Sequence, residues 1–160
     1  TPSDREVAVL RSFRAPRDRV FAAYTQPDLV RRWMLGPPGW TMPVCEMDVR
    51  VGGSYRWRWR SEAEGAEFGF HGTFEVVDPP SRLRHLESFD PGDVGGSMAE
   101  AGTATVTTTF EEHDGVTTVT TLIEYASKEE RDAAVATGMT DGMEMSYALL
   151  DTLLADAAPA

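Results

Sequence analysis

Apolar and polar residues alternate over most of this chain, and the places where the alternation stops divide it into elements. Period two marks strands, because successive side chains point to opposite faces of a sheet. Glu6–Phe13 alternates in this way and predicts a first strand. Pro16 then suits a first helical position, and Val20, Phe21 and Tyr24 give the helix behind it an apolar side. Pro27 opens a second, short helix through Trp33, which Gly36, Pro37, Pro38 and Gly39 end as a loop. Val44–Val51 predicts the next strand, stopped by the turn signal Gly52-Gly53. Ser54–Arg60 alternates strictly, with Tyr55, Trp57 and Trp59 on one face and Arg56, Arg58 and Arg60 on the other. After the polar loop Ser61–Ala66 come two further strands, Glu67–Val77, closed by Asp78-Pro79-Pro80, and Leu83–Phe89. Asp90–Glu100, rich in Gly, Asp and Pro, predicts a long surface loop.

The last third combines both periods. A Thr- and Val-rich hairpin spans Gly102–Tyr125 and turns at His113-Asp114-Gly115. Ser127 with Glu130 makes a capping box, which predicts one long helix over Ser127–Leu154 with a Met-rich face. Gly138 and Gly142 fall inside that helix, where each costs about 1 kcal/mol relative to Ala. Glycines four apart share a face, so they leave room there, either for close packing or for something bound. Strand, two helices, six strands and a helix make an α+β fold, with antiparallel strands curling around the last helix.

Composition narrows the function classes. The chain has 160 residues and 41% hydrophobic content, enough for one domain with a real core. No apolar run reaches the ~20 residues that span a membrane, and the first residues lack the basic-then-apolar pattern of a secretory signal. Cys45 is the only cysteine, which excludes an internal disulfide and suits a reducing, cytoplasmic setting. A net charge of −11 repels phosphate backbones and anionic lipids, so neither nucleic acid nor a membrane surface is expected as a partner.

The residues with chemistry to offer are few. Leu83, His85, Glu87 and Phe89 share one strand face, and the flanking apolar residues turn that face inward. His85 and Glu87 would then stand side by side at a cavity wall, able to orient a ligand or to act as general acid and base. His71 is expected at an exposed or edge position and His113 in a solvated turn. Cys45 shares a face with Met47 and Val49 and is expected to be a buried, inert thiol. The Arg56, Arg58 and Arg60 row is expected to be a solvated outer face, neutralised by Glu67 and Glu75 across the ladder. Tyr55, Trp57, Trp59 and Phe70 on the sheet, with Met139, Met143, Ser146, Leu150 and Leu153 on the helix, would enclose a pocket. Trp33 and Trp40 flank the Gly-Pro loop as a lid over one mouth. Three scattered histidines and one cysteine make no metal-site spacing, and nucleotide and nucleophile-elbow motifs are absent.

Four segments carry a family resemblance: Arg19–Met34, Cys45–Arg60, Phe70–Phe89 and Gly138–Leu154. In this order, across nearly the whole chain, they resemble the START-like superfamily, also called SRPBCC or helix-grip proteins. Within it, the chain is similar to the branch named for the activator of heat-shock-protein-90 ATPase homologue. The resemblance implies a single START-like domain over residues 1–160, with a seven-stranded antiparallel sheet gripping a long C-terminal helix around a hydrophobic cavity. Its members include lipid carriers, hormone receptors and polyketide cyclases, so fold alone does not decide function. The first expectation is binding of a small apolar ligand, aromatic or polyketide-like, with no cofactor. A cyclase or dehydratase using His85 and Glu87, and a co-chaperone-like interaction module, are the alternatives. A homodimer is compatible with the sequence, whereas a chaperone partner is not expected, given the acidic surface and the single domain read here.

Overall fold

The chain runs β1 (Glu6–Phe13), α1 (Arg17–Thr25), α2 (Pro27–Trp33), β2 (Trp40–Met47), β3 (Ser54–Ser61), β4 (Glu67–Asp78), β5 (Arg82–Asp90), β6 (Ala104–His113), β7 (Val116–Glu124), α3 (Lys128–Ala136) and α4 (Met139–Asp156). The structure is a computed structural model and describes residues 4–35, 39–63, 65–90, 103–136 and 139–156, with the backbone alone at 89, 90, 139 and 156. Most of the loops expected at Gly36–Gly39 and Asp90–Glu100 lie outside the described residues. The strands form one seven-stranded sheet in the order β1-β7-β6-β5-β4-β3-β2. Every neighbouring pair is antiparallel. The first strand thus lies beside the last, while α1 and α2 carry the chain to the opposite edge.

Local chemistry explains the tightest connections. Asp114 and Gly115 join β6 to β7 with φ of 53° and 78°. Two successive positive φ values are what an Asp-Gly hairpin turn supplies. Ser127 Oγ accepts the Glu130 backbone N–H at 3.1 Å, so the expected cap starts α3.

Two expectations are corrected. β2 occupies Trp40–Met47 rather than Val44–Val51. It is an edge strand with an irregularity between Thr41 and Val44, and Pro43 is tolerated there because no ladder is interrupted. Beyond Met47 the chain turns, with Asp48 N–H donating to Ser54 O and Gly53 N–H to Arg50 O. The single helix expected over Ser127–Leu154 is two helices, α3 and α4. Residues 137 and 138, between them, lie outside the described residues.

The interior is divided into three clusters. The first gathers Phe13, Phe21, Trp33, Phe110, Tyr147 and Leu150, joining α1, α2 and α4 to β1, β6 and β7. The second lies under β2, β3 and β4 and includes Met42, Cys45, Tyr55, Trp57, Trp59 and Phe74. The third comprises Ala104, Val106 and Ile123, with Val7 and Tyr125 against it. α4 is held to β1 by Arg11, which pairs with Asp151 at 2.7 Å and Glu144 at 3.2 Å and lies over the Phe13 ring. One turn beyond Asp151, Arg19 donates to the Leu154 carbonyl at 2.7 Å. Among the described residues, no helix is long and apolar enough to cross a membrane.

Candidate functional site

Alternation along β5 buries Leu83 and His85, while Arg84 and Leu86 turn to the other face and stay half-buried. His85 is boxed by aromatic edges: its ring centroid lies 5.1 Å from Tyr55, 5.9 Å from Trp57 and 6.0 Å from Phe74. Its Nε2 stands 3.4 Å from Glu87 Oε2, a long contact at the limit of a hydrogen bond. The two side chains expected to face inward together therefore do meet.

Tyr55 reaches this spot from two strands away. It pairs with Gly72 of β4, and its hydroxyl donates to the Leu86 carbonyl of β5 at 2.7 Å. A side chain at residue 72 would collide with that carbonyl and crowd the Tyr55 ring, so glycine is required by close approach. On the other side of β5, His85 pairs with Val106 and Glu87 with Ala104, and Val106 in turn pairs with Ile123. Residues directly opposite share a face. His85 and Glu87 thus form a polar strip on the inner sheet face. One apolar wall is Tyr55, Trp57 and Phe74; the other is Ala104, Val106 and Ile123.

The strip acts on the two phenols nearest to it. Burial, followed by the negative charge of Glu87, pushes the phenols of both Tyr55 and Tyr125 above their ordinary range. One donor in the wall has no acceptor. Trp57 Nε1 is buried and unpartnered among the described residues. By contrast, Trp33 Nε1 donates to Ala23 O at 2.8 Å and Trp59 Nε1 to Met34 O at 2.6 Å. An unmade buried hydrogen bond costs about 1–3 kcal/mol.

The remaining expected lining residues are placed variously. Trp59 is buried and Phe70 packs edge-on against it at 5.9 Å. Leu150 is fully buried in the first cluster and Met143 packs on that same cluster, away from the aromatic wall. Ser146 is buried on α4, and Leu153 is half-buried against the first cluster. The side chain of Met139 lies outside the described residues. Gly142 has open space where a side chain would be, so of its two expected uses it leaves room rather than packing closely.

Trp33 is not a lid: it is 1% exposed, tied to Ala23 and stacked on Tyr147, because α2 turns its apolar side to the core. Trp40 is half-buried against Phe68, at 5.3 Å. His71 and His113 are exposed, as expected. Cys45 is buried with its Sγ 3.7 Å from Pro27 O, and burial pushes the thiol up. Arg58 pairs with Glu67 at 2.7 Å, but Glu75 pairs with Arg84 at 3.2 Å instead of with the basic row, because β4 slips register beside it. Among the described residues, no group of three metal-ligating side chains is assembled. Two open grooves, of about 320 and 420 Å3, include neither His85 nor Glu87: one lies beside Arg11 and Asp151, the other between Met47 and Arg56 with Tyr55 in its lining.

Sequence reading missed the wall of Ala104, Val106 and Ile123 and the phenol of Tyr125. Their alternation within the last hairpin was visible, but only the β5–β6 register sets them beside His85 and Glu87.

Comparison with known proteins agrees with this architecture. A crystal structure of a protein from Rhodobacter sphaeroides is 31% identical, with 99% of this chain and 98% of that one covered and a TM-score of 0.88. A Mycobacterium smegmatis protein is 25% identical over 98% of this chain and 94% of its own, with a TM-score of 0.82. One from Nitrosomonas europaea shares the fold at 20% identity, 98% and 97% coverage and a TM-score of 0.83. No curated protein matches the chain. The model of the family described as Activator of Hsp90 ATPase homolog 1-like protein matches residues 14–155, and with the curled sheet and its C-terminal helix this places the chain in that family of helix-grip proteins.

Proposed function

We propose that the protein binds a small apolar molecule on the inner face of the sheet, over the strip of His85 and Glu87. The family it belongs to generally binds hydrophobic ligands. The observation that carries the reading to this place is the division of the inner face: two apolar walls with no residue in common, separated by buried His85 and half-buried Glu87. A molecule lying across the strip would join the walls, and the polar pair would fix its orientation. Native mass spectrometry of freshly purified protein should show a co-purifying mass, and the emptied protein should bind Nile red saturably. Stripped protein that neither carries a mass nor binds the dye would end this reading.

The 3.4 Å contact between His85 and Glu87 favours a second reading, in which the pair also moves a proton on the bound molecule. Exchange of a ligand C–H for deuterium in heavy water, abolished by Glu87→Gln, would mark that chemistry; a ligand that never exchanges would exclude it.

A further inference from the structure

We propose that β1 pairs with β1 of a second copy of this chain, antiparallel and centred on Leu10, so that two sheets join across a two-fold axis. The two edges of the sheet are β1 and β2, and they are built differently. β2 carries Pro43 and an irregularity between Thr41 and Val44, both of which keep another strand from adding to an edge. β1 carries neither: its register with β7 is unbroken over all 8 residues. The direction of its backbone groups follows from one bond. Tyr125 N–H donates to Arg5 O, so the odd-numbered residues of β1 bond to β7. Glu6, Ala8, Leu10 and Ser12 then turn N–H and C=O to the open side. Ala8 and Ser12 are exposed, and Leu10 is 65% exposed, so no described residue covers the middle of that edge. The Ser12 carbonyl accepts from Arg11 Nη1 at 2.9 Å and keeps a second lone pair for a strand beside it. The order of side chains along β1 is complementary to its own reverse. With Leu10 opposite the partner's Leu10, Ala8 meets the partner's Ser12 and Glu6 meets the partner's Arg14, all on the outer face. Arg14 is exposed and pairs with no carboxylate among the described residues. Two such ion pairs, one on each side of the axis, favour a second copy over an unrelated strand.

The test is sedimentation equilibrium of the parent chain and its variants over a range of concentrations. The parent should reach twice the chain mass with a micromolar dissociation constant, as suits a small interface. Leu10→Pro removes a donor that faces away from β7, so it should leave the melting temperature nearly unchanged. It should weaken the dimer at least about tenfold, the loss of two ladder bonds at the axis. Should that variant fail to fold, Leu10→Lys decides, because it sets two like charges opposite each other and leaves the backbone intact. Glu6→Arg should weaken the dimer, and adding Arg14→Glu should restore it. Leu10→Cys should crosslink to its own copy on mild oxidation, since residues opposite each other in a bonded pair have Cα atoms about 5.5 Å apart, within disulfide reach. Ser12→Cys, away from the axis, should not. Cys45 is buried, so the parent should stay uncrosslinked. A parent that is monomeric at millimolar concentration would overturn the proposal, and binding of an unrelated extended peptide to that monomer would assign the edge to a different protein. A dimer indifferent to both Leu10→Pro and Leu10→Lys would overturn it too, as would crosslinking through Ser12→Cys but not through Leu10→Cys.

Discussion

Leu150→Ala separates core from ligand wall. Leu150 is fully buried in the first cluster, among α1, α2, α4 and the strands they cover. Truncation removes three heavy atoms from a packed interior, and such a change costs about 2–5 kcal/mol through lost transfer energy plus the cavity left behind. In a domain of this size that lowers the melting temperature by roughly 4–20 °C. The upper half of the range applies if Trp33 and Tyr147, stacked at 6.3 Å, keep their positions instead of relaxing into the gap. Denaturant unfolding should show a lower midpoint with an unchanged slope, since the folded surface is the same. Nile red binding should survive at the parent's affinity, because the two walls beside the polar strip belong to other clusters. A loss below about 1 kcal/mol would show that Leu150 faces empty space. Loss of dye binding with stability retained would move the site onto α4 and refute the placement over β5.

Gly142→Ala should stabilise the protein by about 1 kcal/mol in denaturant unfolding, since a side chain there meets nothing within 4 Å and alanine is the better helix former; a destabilised variant would mean the space is occupied. Burial holds the Cys45 thiol above its ordinary value, so its stabilising contribution is full below about pH 8.5, where the unfolded thiol begins to ionise, and is lost as pH rises towards the folded value. Unfolding free energy should therefore fall from about pH 8.5 upwards, and less steeply in Cys45→Ala; parallel pH profiles would contradict this. With a net charge of −11, the protein should not stimulate the ATPase of a heat-shock-protein-90 homologue, and saturable stimulation at stoichiometric amounts would make the co-chaperone reading the better one.

What could be read from the sequence was what local chemistry decides. The Asp114-Gly115 turn needs two positive φ values, and those residues supply them. The cap at Ser127 depends on a neighbour three residues away. Alternation along β3 and β5 set the inward faces correctly, Tyr55, Trp57 and Trp59 on one and Leu83 with His85 on the other. The helix side of the site was not legible in the same way. Which face of α4 meets what depends on Arg11, 140 residues before its partner Asp151, and on Arg19, which holds the carbonyl of Leu154 one turn on. No periodicity records such pairings, so Leu150 was assigned to a pocket when it belongs to the core.

The aromatic wall beside the polar strip depends on one irregularity in the sheet. Phe74 pairs with His85, yet Val76 pairs with Arg84, so Glu75 is an extra residue on β4 beside the site. Without it, β4 and β5 would stay in step, and a one-residue slip exchanges every inward side chain for its neighbour. Glu75 would then stand opposite His85 and Phe74 would turn out of the wall, while His85 itself stays inward through its pairing with Val106. The extra residue is held in place from outside, where Glu75 meets Arg84 at 3.2 Å, and from inside, where Phe74 packs against the rings of Tyr55 and His85. Gly72, two residues earlier, serves the same end by letting Tyr55 cross β4 and tie its hydroxyl to Leu86. Bulges commonly re-aim side chains next to functional sites. Here the bulge sets Phe74 and the glycine admits Tyr55, so two features of the β4 backbone build the aromatic wall against His85, over which we propose the ligand lies.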